Sequence, residues 1–465
     1  MLPFFPKTIA KKGILIYFIS IAAVSLLYFR YAMGIEFILL GSMWVVGFFL
    51  LSSSLSRSWA HKSRRDFAWS VFWLALGLRV AWVIFSYFFY TAKTGQPFEF
   101  EAADSMGYHE EAKWLAQAGW ETAFKYWQGK GGVSDVGYPF YLTVFYRAFG
   151  PSVILARLAK CIFSAVSCVL IYKLSRRTIG EFPGRMAAIF MVLFPNLIMY
   201  CGQHNKETEM IFLIVAFLER ADYIIRSRII RFPSLILVFA LALSLFFFRT
   251  VLGMVALLSF FAGLLFTSLS LTKQAKNWLI TLFAIASVSV FAGGAIATEV
   301  EGYWESRVEN QFRKRDAQTA RGSLWAQYAT GAVLAPMEFV MPLSTMVDTN
   351  QDNQMMLHGG NYVRNFLGIF VLISLYIILF KYRNWRDFSL IGAFVIGYLG
   401  VIAFSGYGNA ERFLLPASPI LMILAAYGVS KLNAKSISFA SYWYILVVVM
   451  EVAWAYFKIG SRGLL

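Results

Sequence analysis

Charge is what this chain has least of. Only 14% of its 465 residues are Asp, Glu, Lys or Arg, while 59% are hydrophobic; a soluble domain carries about one quarter charged residues. Cysteine is nearly absent. Cys161, Cys168 and Cys201 lie in or beside apolar runs without metal-ligand spacing and read as packing residues. Acids are scarcer than bases, leaving a net charge of +17. No segment is a long basic polar domain, so nucleic-acid binding is excluded. Short alternating strands are missing too, which excludes a membrane barrel. The basic start Met1–Lys12 leads into an apolar stretch with no small-residue cleavage site and no soluble domain behind it, so it reads as a retained first span. No internal repeat or low-complexity linker is visible.

What fills the chain is a series of nearly uncharged apolar runs of about 18–25 residues, the length a bilayer-crossing helix needs. They lie near 14–32, 35–54, 67–91, 150–172, 186–202, 208–225, 233–248, 251–271, 278–297, 362–380, 388–405, 413–430 and 438–457. The expected fold is an all-α polytopic membrane protein with about 13 transmembrane helices. The loops near 55–66, 173–185, 226–232, 272–277, 381–387 and 431–436 are all basic, which puts them and the N-terminus in the cytoplasm. Two long polar segments, 92–149 and 298–361, then fall outside with the short turns near 203–207, 249–250 and 406–412. Only the tail from Lys458, with two basic residues, is discordant. The first external segment should carry amphipathic helices on the membrane surface, one of them over Tyr108–Phe124. The chain divides into an N-terminal hairpin with its basic loop (1–66), a core (67–432) and a last span with its tail (433–465).

The polar residues of the external side carry the chemistry. Asp104 and Tyr108 are four apart and share a face on a helix. Lys206, Glu207 and Glu209 sit in a tight turn. Arg249 stands between two spans with almost no loop around it. Glu411-Arg412 opens a span that Pro416 and Pro419 disturb. Cations and carboxylates on one membrane face suit transfer of a sugar from a lipid phosphate: fixed cations stabilise the departing phosphate, and a carboxylate takes the proton of a hydroxyl acceptor. His358 and Tyr362, where the chain re-enters the membrane, are candidate cavity-lining residues. Arg79, near the middle of the third run, is costly at that depth and needs a buried partner or a function. The external basic run Arg307, Arg313, Lys314, Arg315 and Arg321 is either a lipid-phosphate or anionic-acceptor contact or a solvated helical face.

Three stretches resemble the C-type membrane glycosyltransferase superfamily, in particular bacterial enzymes related to protein O-mannosyltransferases and the lipid A aminoarabinose transferase. Asp104-Ser-Met-Gly-Tyr108 resembles its Asp-x-x-x-Tyr signature, Lys206-Glu207 its lysine–acid turn, and Glu411-Arg412-Phe-Leu-Leu-Pro416-x-x-Pro419 its Glu-Arg-Tyr-x-x-Pro-x-x-Pro helix start. The resemblance spans roughly 67–432. It implies an inverting transferase in a bacterial inner membrane, using a polyprenyl-phosphate sugar at the periplasmic face with a protein, lipid or glycan acceptor. It also implies that Asp104 is the catalytic base or its main positioner. Lys206, Arg249 and Arg412 are then candidates for the donor phosphate, with Tyr108, Glu207 and Glu411 in support. The first two spans look like an addition. The acidic pair of metal-using relatives is not clearly matched, Glu99 and Glu101 being the nearest substitute; no cofactor is expected, with a catalytic divalent metal left open. The alternatives are an O-antigen polymerase or ligase, and a flippase or transporter of lipid-linked sugars.

Overall fold

The computed structural model describes residues 3–129, 134, 136–227, 232–267, 343–348, 350–382, 384–405 and 411–461. Every regular element among them is helical. Eight helical segments are long and apolar enough to cross a membrane, and a bent pair makes a ninth. The protein is an integral membrane protein. The thirteen expected spans are not reached among the described residues. The run at 278–297, most of 298–361 and the basic run Arg307–Arg321 lie outside them.

Three long helices open the chain: α1 (Lys7–Leu27), α2 (Ile35–Ser58) and α3 (Arg64–Thr94). The polar segment after α3 folds into α4 (Ala103–Gln117), α5 (Trp120–Gly129) and α6 (Gly137–Phe149), so the single helix expected over Tyr108–Phe124 is two, broken at Ala118 and Gly119. Arg147 of α6 fixes α4 by donating to Leu115 O (2.8 Å) and Ala118 O, carbonyls that the end of α4 leaves unpaired. The chain returns through α7 (Val153–Ile179) and α8 (Glu181–Leu193), then α9 (Pro195–Met199), α10 (Glu207–Arg226), α11 (Phe232–Phe248) and α12 (Thr250–Thr267). α10 carries Glu219, Arg220 and Asp222 and is too charged to count as an apolar span. Arg177 of α7 pairs with Glu219 and Asp222, both at 2.8 Å. Beyond the undescribed stretch come α13 (Asp352–Tyr376), α14 (Ser389–Ser405), a helical turn at Glu411–Leu414 leading into α15 (Ser418–Ser430), and α16 (Ala434–Ser461). The segment Glu411–Ser430 and the bent pair α8–α9 are almost wholly enclosed, and α13 is two-thirds enclosed.

The run expected as one helix over 186–202 is broken. α8 and α9 meet at an angle of 50°, because Pro195 has no N–H to give to Met191 O. This break explains Arg79. Its guanidinium donates to Met191 O and Val192 O, each at 3.2 Å, and its Nε to Ser164 Oγ at 2.6 Å. A buried cation thus caps the carbonyls stranded by the proline, at the helix end where the macrodipole is negative. One turn along the same face of α3, Trp82 Nε1 donates to Met199 O at 3.1 Å, at the end of α9. Arg79→Met orphans at least two buried carbonyls at about 1–3 kcal/mol each. We expect a clearly lower melting temperature in detergent, with weakened binding at the turn after α9. An unchanged melting temperature sinks this role.

The N-terminal hairpin is docked on the core. Tyr362 donates to Gly13 O at 2.7 Å, and Tyr17 Oη and His358 Nε2 lie 2.9 Å apart. Gly41 lets α2 touch α13 here, since a β-carbon would collide with the His358 ring.

Candidate active site

Asp104 stands in the first turn of α4, where a helix favours an acid. It is about half exposed. Arg412, 308 positions later, donates to its Oδ2. Tyr108 lies one turn on and shares its surroundings with Glu207, Asp104, Arg412 and Arg249; burial raises the pKa of its hydroxyl.

The other two expected cations meet this pair. Lys206 ends the turn after α9 and is buried, donating from Nζ to Phe248 O (3.1 Å) at the end of α11. Arg249 is the next residue after Phe248. Burial pulls the Lys206 ammonium down to about 7; Arg249 and Arg412 act in the same direction, Glu207 and Asp104 against it. The Phe413 ring lies against both arginines, its centroid 4.6 Å from the Arg249 guanidinium and 5.2 Å from that of Arg412. Arg249 Nη1 and Glu207 Oε2 are buried and have no hydrogen-bond partner among the described residues. A buried guanidinium N–H without a partner, close enough to Lys206 to depress its pKa, has a donor free for an anion.

Beneath lies a layer the sequence reading missed. Arg364 of α13, almost fully buried, reaches both oxygens of Glu411 at 3.1 and 3.0 Å. Asn196 of α9 donates to Glu411 Oε1 and Asn361 Oδ1, each at 2.7 Å. Gly360 permits this approach, because a β-carbon there would strike the Asn196 amide. Glu411 therefore fixes the start of its helix, and with it Arg412, against α13 and α9.

Two buried cations one turn apart on α7 were also missed. Lys160 donates to Gln203 O (3.0 Å) and Asn205 O and lies 3.6 Å from Glu209, holding the backbone of the Lys206 turn. Arg157 pairs with Glu99 at 3.3 Å. His204 of the same turn meets Tyr146 Oη at 3.0 Å, and Tyr146 meets His109 Nδ1 at 2.8 Å. Burial lowers the pKa of both imidazoles. A charge inside an apolar run was the available signal for Arg157, Lys160 and Arg364.

His358 and Tyr362 do not join the cluster; their hydrogen bonds bind α13 to α1. Among the described residues no three His, Cys, Asp or Glu side chains are grouped to hold a metal ion. A cleft of about 410 Å³, lined by Phe98, Phe100, Glu101 and Asp352, opens beside the start of α4. On the α4 side it is lined by Ala102, just before the helix, and Met106, two positions either side of Asp104 and on the opposite helical face.

Asp104 of α4, Lys206 of the turn after α9, Arg249 after α11 and Arg412 at the head of a late span thus come together from distant parts of the sequence, and comparison with known families gives this arrangement a context. Residues 354–461 match the model of the Alg9-like mannosyltransferase family, which indicates a glycosyltransferase and is consistent with the C-type membrane class. The matched segment contains Arg364, Glu411 and Arg412 and spans less than a quarter of the chain. No curated protein matches the sequence.

Proposed function

We propose that this protein transfers a sugar from a polyprenyl-phosphate donor to a hydroxyl acceptor at the periplasmic face of a bacterial inner membrane, with residues 67–432 as its catalytic core. The observation that carries the reading is the convergence of Arg412, Lys206 and Arg249 beside Asp104. The three cations hold the donor phosphate. The acceptor oxygen attacks the anomeric carbon, the bond from that carbon to the phosphate oxygen breaks, and its electron pair stays on the phosphate. Asp104 takes the acceptor proton, and the configuration inverts. Tyr108 and Glu207 line the reacting sugar, and Glu411 positions Arg412. In the resting site Arg412 is engaged by Asp104. An arriving phosphate competes for that guanidinium and releases the carboxylate toward the acceptor. The name of the matched family makes mannose the sugar to test first.

Farnesyl phosphate, a short lipid phosphate, tests the donor half. It should bind the whole protein in nanodiscs, and above about pH 7, where the phosphate monoester is already mostly dianionic, its affinity should fall as pH rises, because the phosphate favours protonated Lys206 and deprotonation removes that charge. Lys206→Met should flatten this dependence. Absence of binding, or binding indifferent to Lys206, Arg249 and Arg412 substitutions, overturns the reading.

A further inference from the structure

The geometry points to Glu99 as the positioning residue that sets the spacing between the base and the donor cations; this rests on the reading above. Glu99 lies in the loop before α4 and is buried. Its Oε1 accepts from Ser105 Oγ, on the residue next to Asp104. Its Oε2 accepts from the backbone N–H of His204 at 3.1 Å, in the turn that ends at Lys206. The same oxygen pairs with Arg157 of α7 at 3.3 Å, so the charge is matched where it is buried. One carboxylate therefore ties the two halves of the site together and anchors both to α7. The elements joined are far apart in sequence, and among their described contacts this is a tie from the base-bearing turn itself to the cation turn. Ser105 is fully buried, so its hydroxyl has no water to turn to.

Glu99 touches neither reacting group. It acts through Asp104 on one side and Lys206 on the other, and the two bonds are separable by mutation. Ser105→Ala cuts the base side only. It leaves Glu99 paired with Arg157 and leaves the His204 contact in place. A small misplacement of a base costs up to about a hundredfold in rate. With polyprenyl-phosphate mannose as donor and water or an alkyl mannoside as acceptor, we expect turnover to fall about tenfold to a hundredfold. Farnesyl phosphate affinity should stay at the wild-type value while the melting temperature falls somewhat, since Glu99 Oε1 loses a buried partner, and Ser105→Thr, which keeps the hydroxyl, should recover both turnover and melting temperature. Should Ser105→Ala fail to fold, Ser105→Cys carries the same test: it keeps the shape of the side chain, offers Glu99 only a weak S–H donor and leaves the Arg157 and His204 contacts in place. Wild-type turnover in these variants, or a loss of turnover that only tracks lost melting temperature and lost phosphate affinity, overturns the inference. Failure of the underlying reading looks different, since then wild-type protein does not bind farnesyl phosphate and Asp104→Asn retains its activity.

Discussion

Asp104→Asn should abolish sugar transfer, with turnover down by about 10²–10⁴-fold, the range for removing a positioned general base. The protein should remain folded. Asp104 and Arg412 are each about half exposed, and ion pairs of that exposure contribute only ~0–1 kcal/mol. The amide keeps the shape of the side chain and loses its basicity. Donor binding should hold or tighten, because the substitution frees Arg412 from the contact it makes in the resting site. Loss of turnover with retained or improved farnesyl phosphate affinity is the signature of a base, and a positional role alone does not produce it. Turnover within tenfold of wild type, measured in proteoliposomes with a defined donor, ends the assignment of Asp104.

Arg412→Gln has the second largest expected effect, and on the other substrate. A hydrogen bond to a charged group is worth about 1.5–3 kcal/mol, so farnesyl phosphate should bind about 10–100-fold more weakly. Arg412→Lys should recover part of this, since a lysine offers the charge without the planar fork. The two substitutions should also be coupled. In wild type the phosphate has to win the guanidinium from Asp104, whereas in Asp104→Asn it does not. Arg412→Gln should therefore cost more affinity in the Asp104→Asn background than in wild type. Equal costs in both backgrounds would show that the resting contact does not gate the donor, and unchanged affinity in the single variant removes Arg412 from the donor site. Arg249 offers a buried Nη1 that has no hydrogen-bond partner among the described residues; Arg412 is favoured for the larger effect because Arg364 and Asn196 hold its neighbour Glu411 in place.

Much of this arrangement was legible in the sequence. Hydropathy runs set the helices, because a bilayer demands length and apolarity along a contiguous segment. Basic loops grouped Asp104, Lys206, Arg249 and Arg412 on one side, because charge bias is a property of each loop and needs no fold. The break in the fifth run could have been read at Pro195, since a missing N–H is a local fact. Arg79 was legible as an anomaly but not as a cap, because its partners are carbonyls 112 and 113 positions away. His358 and Tyr362 looked like cavity residues from their place at a span entrance, yet the packing of α1 against α13 uses them.

By itself the sequence determined that this is a helical membrane protein, and which polar residues share a side; both follow from the energetics of single segments in a bilayer. Only the tertiary structure decided that Arg412 meets Asp104, that the Phe413 ring lies against Arg249, and that α7 buries Arg157 and Lys160 to hold the loops of the site. Those contacts join segments tens to hundreds of residues apart. Their distances depend on how helices pack, and no local pattern encodes that.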